Sequence, residues 1–251
     1  MSTSGQHLAG KKILVTGASR GIGQAIALAM AAEGATVALA ARSSPDSTQA
    51  LIAESGGEAL CYTVDVSEEP TVEALFAEVR ADLGTLDVVV SNAGVILEKP
   101  LCDTSAADFD WLMNINLRGT FLVGREAIRQ MVAAGAGGRV INIASDLGYL
   151  GREAFSVYCA SKGGVIALTK SWALEFAPDI LVNSISPGPI DTDMLAVENM
   201  SPEWRKKEED IPLGRIGQPE EVAGLAVFLA GPSASFITGQ GFGVNGGSYM
   251  S

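Results

Sequence analysis

The sequence predicts one α/β domain built on a doubly wound parallel sheet of about seven strands, with helices on both faces. Short apolar runs rich in β-branched residues alternate with longer helical segments along the 251 residues, which is the pattern of right-handed strand–helix–strand crossovers. The runs are apolar almost throughout, which indicates strands that are buried on both faces. No linker or internal repeat divides the chain, so we expect a single domain.

The individual elements follow from this alternation. Seven apolar runs are predicted to be strands: Lys12–Thr16, Thr36–Ala40, Leu60–Val64, Asp87–Ser91, Arg139–Ala144, Ile180–Ser186 and Gly241–Val244. The segments between them are predicted to be helices: Ile22–Glu33, Ser47–Glu54, Glu68–Leu83, Ala106–Ala133, Ser156–Phe176 and Glu220–Leu229.

Two segments depart from the alternation. Residues 1–9 are mostly polar, and we expect them to be a flexible terminus before a single domain of residues 10–251. The stretch Pro187–Pro219 is irregular and too long to be a plain connection, since loops of that length are usually functional. It is therefore predicted to contain a lid over the ligand site, at about residues 190–215.

The charge balance excludes several classes of partner. The chain has 17 basic and 29 acidic residues, for a net charge of −12. Such a surface repels phosphate backbones, so we expect no nucleic-acid partner. The sequence lacks a run of about 18 apolar residues, so no membrane span is expected. It also lacks a basic region followed by an apolar run at its start, so we expect a cytoplasmic protein without a signal peptide.

The cysteines and the histidine limit the classes of enzyme that the chain can belong to. Cys61, Cys102 and Cys159 are widely spaced and odd in number, so they show neither a disulfide framework nor metal-ligand spacing, which fits a reducing compartment. The only histidine, His7, lies in the polar N-terminal stretch. A Ser-His-Asp hydrolase or a histidine-ligated metal enzyme needs a histidine inside the fold. Both classes are therefore excluded, and no metal is expected.

A glycine-rich turn follows the first predicted strand. It reads Thr16-Gly17-Ala18-Ser19-Arg20-Gly21-Ile22-Gly23 and leads into a predicted helix. Its three glycines allow a tight turn, a close approach of the backbone to a pyrophosphate, and close packing of helix on strand. The amides at the helix N-terminus favour the anion. We interpret the turn as the dinucleotide-binding element of a Rossmann-type fold, with contacts from Gly17, Ser19, Arg20, Gly21, Ile22 and Gly23.

The end of the second strand predicts which dinucleotide binds. Sheets that bind NAD commonly carry an acidic residue there, which accepts from the ribose 2′-hydroxyl. This sequence has Ala41 and Arg42 instead. A guanidinium binds a phosphate bidentately, and Arg20 is expected to approach the same group. Two cations at one site in an acidic chain favour NADP(H) over NAD(H).

Two more segments follow predicted strands. Asp65-Val66 comes after the third strand and Asn92-Ala93-Gly94 after the fourth. Ligands of open α/β sheets bind outside the carboxyl ends of the strands. Both segments are therefore expected to contact the cofactor.

A tyrosine and a lysine are spaced for proton transfer. Tyr158 and Lys162 are four residues apart in a predicted helix, so their side chains share one face. A free tyrosine has a pKa of about 10, and a nearby ammonium lowers that pKa by favouring the phenolate. Ser145 follows the fifth strand and is expected to hydrogen-bond the reacting oxygen. Together these residues predict hydride transfer between nicotinamide and an alcohol or ketone.

In their order and spacing, these motifs resemble those of the short-chain dehydrogenase/reductase family, including its 3-oxoacyl-carrier-protein reductase-like members. The resemblance covers nearly the whole chain. It rests on Thr16–Gly23, Asn92-Ala93-Gly94, Asn114-Ile115-Asn116-Leu117 with Gly119, Ser145, the Tyr158 and Lys162 pair, and Pro187-Gly188 with Thr192.

The resemblance implies a role for each member of a catalytic set. Tyr158 would be the general acid in reduction and the base in oxidation. Lys162 would bind the nicotinamide ribose and lower the tyrosine pKa. Ser145 would orient the carbonyl group, and Asn116 would hold a water in a proton relay from Lys162 to solvent.

The resemblance also implies further contacts and an assembly. Pro187, Gly188, Ile190 and Thr192 would bind the cofactor, the last two at the nicotinamide carboxamide. The family is usually homotetrameric, and the helices at about 106–133 and 156–176 would form the interface. Their apolar residues exceed one core-facing stripe, and the surplus is expected to include Phe121, Leu122, Val165, Leu168, Trp172 and Phe176.

The sequence says less about the substrate. By similarity, the pocket is expected between residues 146 and 155 and between residues 194 and 211. Its candidate lining is apolar or aromatic apart from Ser145 and favours a neutral carbonyl compound: Ser145, Leu147, Tyr149, Leu150, Phe155, Met194 and Trp204. The charged run from Lys206 to Asp210 is expected to be a solvated helix face.

Three alternatives stay open at this point. A 3-oxoacyl-carrier-protein reductase would need a basic patch for its acidic carrier, and no strong patch is visible in the sequence. An NAD-dependent sugar or polyol dehydrogenase is the next alternative. A nucleotide-sensing regulator that lost the chemistry is the third, and Asn116, Ser145, Tyr158 and Lys162 argue against it.

Overall fold

Seven parallel strands form one sheet in the computed structural model, which describes residues 6–250. They are β1 Lys12–Thr16, β2 Thr36–Ala41, β3 Glu58–Thr63, β4 Val88–Ser91, β5 Gly138–Ile143, β6 Ile180–Pro187 and β7 Gly241–Val244. The order across the sheet is β3-β2-β1-β4-β5-β6-β7. The predicted fold class is confirmed, and each strand lies within two residues of its predicted bounds.

Helices cover both faces of this sheet. They are α1 Gly21–Ala32, α2 Asp46–Glu54, α3 Glu69–Leu83, α4 Ala106–Met113, α5 Gly119–Ala134, α6 Ser156–Phe176, α7 Pro202–Glu209 and α8 Pro219–Ala230. On one face, apolar side chains of α1 and α8 pack on the strands, and on the other face those of α3, α5 and α6 do so. A hydrophobic core lies on each face of the sheet, and alternate residues of a strand point into one or the other. Ile13 and Val15 point to the first core and Leu14 to the second.

The strand order places a crevice beside β1. The strands β2 and β3 lie on one side of β1, and β4 to β7 lie on the other. The crossover helices therefore leave β1 and β4 in opposite directions. In open α/β sheets, ligands bind at this switch point, outside the carboxyl ends of the strands.

The helix predicted over Ala106–Ala133 is interrupted. The α4 helix runs into a π-helical turn at Asn114–Arg118, and α5 continues from Gly119. The backbone stays helical where α4 ends, with φ −62° and ψ −39° at Asn114. Wider turns of this kind are frequent at functional sites, and this one carries Asn116.

The stretch predicted to be irregular contains α7. Its first residue, Pro202, suits the first helical position because a proline lacks an N–H there. The Ser201 hydroxyl before it accepts a hydrogen bond from the main-chain N–H of Trp204 at 3.2 Å. Both helix-start signals are in the sequence. The run from Lys206 to Asp210 was expected to be a helix face, but the helix was not delimited because its surface is almost wholly polar and lacks apolar periodicity.

The core also begins earlier than the sequence suggested. Leu8 lies inside the terminus predicted to be flexible, yet it is fully buried, and its N–H donates to the carbonyl of Glu33 at 3.0 Å. Residues 1–5 of that predicted terminus lie outside the described residues.

Candidate active site

A cavity of about 840 Å³ lies at the carboxyl ends of the strands. Every residue that the sequence assigns to cofactor binding lines it: Gly17, Ser19, Arg20, Gly21, Ile22, Gly23, Arg42, Asp65, Val66, Asn92, Ala93, Gly94, Tyr158, Lys162, Pro187, Gly188, Ile190 and Thr192. Ser145 also lines it. The predicted nucleotide and proton-transfer residues therefore share one cavity.

The glycine loop is shaped by steric demands. Gly17 and Gly21 have φ of +67° and +57°, a region that side chains other than glycine rarely adopt. A Cβ atom on Gly23 would overlap the carbonyl oxygen of Gly17 and the amide of Asn92. Each glycine is thus needed for the shape of the loop. The first turn of α1 contains no acidic residue, and no side chain caps it. This helix end suits an anion.

Asn92 braces the same loop from β4. Its amide Nδ2 donates to the carbonyls of Thr16 at 3.0 Å and Gly17 at 3.2 Å. The Thr16 hydroxyl in turn accepts from the main-chain N–H groups of Asn92 and Ala93, at 3.0 and 3.2 Å. The ends of β1 and β4 are therefore tied together, which fixes the floor of the cavity at the switch point.

Arg42 and Arg20 differ in their surroundings. Arg42 is exposed at the end of β2 and contributes to the low pKa of Asp65, although the hydrogen bond from Ser67 is the largest cause. Arg20 forms an exposed ion pair with Asp193 at 3.2 Å. A 2′-phosphate placed beside Arg42 would meet the guanidinium of that residue. Residues 41–44 include no carboxylate that would repel the phosphate. Arg20 would have to leave Asp193 to join it.

Tyr158 and Lys162 are both buried in α6. The Nζ atom of Lys162 lies 5.9 Å from the centroid of the Tyr158 ring and donates to the main-chain carbonyl of Ile143 at 2.9 Å. Burial raises the pKa of Tyr158 to about 12, against a lowering by the neighbouring Ser145 hydroxyl. Burial also lowers the pKa of Lys162 to about 8.

This electrostatic pattern corrects one expectation from the sequence. A depressed Tyr158 pKa was expected from Lys162, yet the pKa is raised. The physical reason is that a phenolate loses more hydration in a buried position than the neighbouring groups restore. Near neutral pH Tyr158 therefore holds its proton, which suits a proton donor.

Asn116 lies behind the cavity wall and does not line it. It is fully buried in the π-helical turn and exchanges two hydrogen bonds with the main chain of Val95, at 2.8 and 2.9 Å. Its amide also donates to the hydroxyl of Ser161 at 3.2 Å. A Cβ atom on Gly94 would lie 3.3 Å from Asn116 Oδ1 and 3.6 Å from Lys162 Nζ. Asn116 thus fixes the loop that faces Lys162.

Only some of the residues predicted to line the substrate pocket do line the cavity. Leu147, Leu150 and Met194 line it, together with Ser145. The other three predicted side chains are engaged elsewhere and are corrected here. The Tyr149 ring stacks on Tyr249 at 4.6 Å, Phe155 packs with Leu112 and Tyr158, and Trp204 packs against the guanidinium of Arg152.

Several charged and polar residues line this end instead. Asp146, Arg152, Lys207, Glu208 and Ser248 all contact the cavity. Glu208 is buried and accepts hydrogen bonds from the Arg152 guanidinium, one of them at 3.2 Å. The prediction that the run containing Lys207 and Glu208 is a solvated helix face is therefore wrong for Glu208, whereas Lys207 is exposed as expected. Ser248 was missed because nothing near it in the sequence signals a site.

Two further properties of the structure concern membranes and metals. None of the helices between residues 6 and 250 is long and apolar enough to cross a membrane. Over the same residues, no group of histidine, cysteine, aspartate or glutamate side chains is arranged to hold a metal ion.

Comparison with known proteins places the chain among oxidoreductases. Residues 17–249 match the family model described as enoyl-(acyl carrier protein) reductase. A short-chain dehydrogenase/reductase of Armillaria gallica is 45% identical, with 95% of each chain covered. A 3-oxoacyl-[acyl-carrier-protein] reductase of Aquifex aeolicus is 39% identical over 96% of this chain and 98% of the relative.

A solved structure gives the same result. A putative 2-deoxy-D-gluconate 3-dehydrogenase of Agrobacterium tumefaciens with bound NADP has a TM-score of 0.91 and 38% identity, over 97% of this chain and 98% of that one. The resemblance stated from the motifs is confirmed by these matches. The chain belongs to the short-chain dehydrogenase/reductase family, whose members act as oxidoreductases on hydroxyl and keto groups.

Proposed function

We propose that this chain transfers a hydride between NADP(H) and a ketone or secondary alcohol, with Tyr158 as the proton-transferring residue. The observation that carries the proposal is the shared cavity: Tyr158, Lys162 and Ser145 line one part of it and the glycine loop with Arg42 lines another. The family assignment supports the reaction class.

The proton transfer is assigned to Tyr158 and Ser145. The bound nicotinamide supplies or accepts the hydride. With a pKa of about 12, Tyr158 is protonated near neutral pH and donates to the carbonyl oxygen during reduction. The Ser145 hydroxyl hydrogen-bonds the same oxygen. In oxidation the phenol must first lose its proton, so that direction becomes faster as pH rises.

Lys162 and Asn116 are assigned supporting roles. Lys162 carries its charge below about pH 8 and would bind the hydroxyls of the nicotinamide ribose. The main-chain carbonyl of Asn116 accepts from the Thr120 hydroxyl at 2.7 Å, and Asn116 is assigned the water of the proposed relay. Proton loss from Tyr158 would then reach solvent through Lys162 and this water.

The cofactor preference for NADP(H) is proposed from charge. The glycine loop fits a pyrophosphate, because Gly17 and Gly21 line the cavity and carry no side chain. Arg42 is a cation at the end of β2, where a carboxylate would repel a 2′-phosphate. The solved relative with bound NADP supports the same preference.

A reductase of acyl groups on a carrier protein is the second candidate. It is favoured by the relative from Aquifex aeolicus that carries that name. No basic patch for an acidic carrier is visible in the sequence, and both arginines of α5 are paired, Arg125 with Glu69 at 2.6 Å and Arg129 with Glu126 at 2.9 Å. Paired cations are poor docking points for an acidic partner.

We also propose a homotetramer in the cytoplasm. An apolar groove between the π-helical turn, α5 and α6 supports assembly through these helices, with Leu117, Phe121 and Leu168 among its lining residues. The predicted surplus of apolar residues is smaller than expected, because Leu122, Val165 and Trp172 are core residues.

The proposed function is tested by NADPH oxidation against a panel of ketones, aldehydes and acyl thioesters. Turnover of small ketones with NADPH supports it. Turnover restricted to acyl thioesters favours the carrier-protein candidate. Tight NADPH binding without turnover of any compound would favour a nucleotide-sensing regulator.

A further inference from the structure

Asp146 is an acidic residue at the substrate end of the cavity that the proposed mechanism does not use. It directly follows Ser145 and lines the same cavity, and it is only 6% exposed. Burying a carboxylate is unfavourable unless hydrogen bonds compensate for lost hydration. A buried carboxylate beside the reacting groups therefore suggests a role in the site.

The hydrogen bonds of Asp146 leave room for one more donor. Its Oδ1 accepts from the Ser145 hydroxyl at 3.1 Å and from the N–H of Leu147 at 2.8 Å. Its Oδ2 accepts from the Ser248 hydroxyl at 2.6 Å. A carboxylate has about four acceptor positions, so Oδ2 keeps one open position beside Ser248, which also lines the cavity.

The cations at this end of the cavity do not pair with Asp146. Arg152 is bound to Glu208, and Lys207 Nζ lies 4.5 Å from the centroid of the Trp204 ring. Lys162 donates to a main-chain carbonyl. The Asp146 carboxylate thus has hydroxyl and amide partners but no direct ion pair. Directly beside Asp146, a carboxylate or a phosphate on the substrate would meet a like charge, whereas a neutral hydroxyl can donate a hydrogen bond.

The distance to Ser145 restricts where that hydroxyl can be. In the proposed function, the Ser145 hydroxyl turns its one proton from Asp146 to the reacting oxygen, and its Oγ lies 3.1 Å from Asp146 Oδ1. One small substrate can therefore contact both side chains, and the most compact way to do so uses two oxygens on neighbouring carbons.

We propose that Asp146 is a specificity-determining residue whose carboxylate accepts a hydrogen bond from a hydroxyl on the carbon next to the reacting carbon. The substrates are then neutral vicinal diols and the corresponding α-hydroxy ketones. This inference rests on the proposed function, because it takes Ser145 and Tyr158 as the partners of the reacting oxygen.

The experiment compares substrates that differ by one hydroxyl. Reduction of 3-hydroxy-2-butanone is compared with that of 2-butanone, and oxidation of 2,3-butanediol with that of 2-butanol, in wild type, Asp146→Asn and Ser248→Ala. The readout is the ratio of kcat/KM within each pair, since a general loss of activity cancels from a ratio. Measuring both directions separates recognition from the intrinsic reactivity of the hydroxy ketone. NADPH binding by fluorescence titration reports folding.

We expect the hydroxylated compound to be preferred in both directions by the wild type. Hydrogen bonds to charged groups are worth about tenfold to a hundredfold in affinity, so Asp146→Asn should lower both ratios by at least about fivefold. Ser248→Ala opens a further acceptor position on Oδ2 and should keep or raise them. Pyruvate, which carries a carboxylate at the position of the hydroxyl, should be a poorer substrate than 3-hydroxy-2-butanone.

The outcomes that contradict this inference differ from those that contradict the proposed function. Equal or better turnover of 2-butanone and 2-butanol by the wild type, or unchanged ratios in Asp146→Asn, overturns the inference and leaves the proposed function standing. No turnover of any of these compounds in the presence of tight NADPH binding counts against the proposed function itself. If Asp146→Asn does not fold, the wild-type ratios and the pyruvate comparison decide.

Discussion

Lys162 Nζ lies 5.9 Å from the centroid of the Tyr158 ring, and both side chains are buried one helical turn apart in α6. Burial shifts the two pKa values in opposite directions. It raises the pKa of Tyr158 to about 12 and lowers that of Lys162 to about 8. Near neutral pH the phenol keeps its proton and the ammonium keeps its charge. The pair is thus set for proton donation.

The first prediction concerns pH. Lys162 loses its proton as pH rises through about 8, whereas Tyr158 stays protonated until about 12. We therefore expect kcat for ketone reduction to fall as pH rises through about 8, while oxidation becomes faster. Lys162→Ala should weaken NADPH binding as well as turnover. Lys162→Arg keeps a permanent charge, so the fall near pH 8 should disappear from its residual activity. A reduction rate that is level up to pH 10 would contradict this assignment.

The second prediction concerns the choice of cofactor. Arg42 is the cation at the end of β2, and one charged contact is worth about 1.5–3 kcal/mol. We expect kcat/KM with NADPH to exceed that with NADH by at least about tenfold. Arg42→Asp should abolish or reverse the preference. The matched control is Arg80→Asp, the same charge change on an exposed arginine of α3 outside the cavity, and it should leave the preference intact. Equal efficiency with both cofactors in the wild type would exclude the idea.

The third prediction concerns the glycine loop. A side chain on Gly23 would overlap the Gly17 carbonyl, so Gly23→Ala should raise the Kd for NADPH at least about tenfold by distorting the loop. Gly224 in α8 is the control, because a Cβ there meets nothing within 4 Å. Gly224→Ala should keep the Kd and raise Tm by about 1–3 °C, since alanine favours a helix interior. Isothermal titration and thermal unfolding measure both. An unchanged Kd in Gly23→Ala would show that the loop tolerates the shift.

The fourth prediction concerns assembly. Phe121 is 39% exposed in the groove beside α6, whereas Val132 is exposed on α5 outside that groove. We expect sedimentation of the wild type to give an oligomer at micromolar concentration. Phe121→Asp should shift it toward monomer, because a carboxylate is costly to bury in an apolar interface. Val132→Asp should not. A stable wild-type monomer would refute the proposed assembly.

The fold was largely predictable because its signals are local. Each buried strand is a short apolar run, and the glycines of the first turn mark both the strand end and the helix start. The exceptions have physical causes. The α7 helix is almost entirely polar, so only its Ser201 cap and Pro202 mark where it begins. The π-helical turn at Asn114–Arg118 keeps ordinary helical residues and changes only the hydrogen-bond spacing.

The candidate site was predictable at its nucleotide end and less so at its substrate end. The cofactor residues lie in contiguous motifs at strand ends, where the sheet topology brings them together. The substrate end is assembled from distant segments by tertiary packing, such as the contact of Ser248 with Asp146, 102 residues apart in the chain. An aromatic residue such as Trp204 signals burial but not its partner, which here is Arg152.

The Tyr158→Phe variant tests whether Tyr158 gives the proton to the substrate oxygen in reduction and takes it in oxidation. Phenylalanine keeps the ring and its packing but removes the hydroxyl, and general acid–base contributions are about 10²–10⁴-fold. The measurement is kcat for NADPH-dependent ketone reduction, with NADPH affinity by fluorescence titration as the control for folding. We predict a loss of at least about a hundredfold in kcat with NADPH still bound. Near-normal turnover by a folded Tyr158→Phe variant would contradict it, because the only histidine, His7, lies at the exposed N-terminal end of the chain.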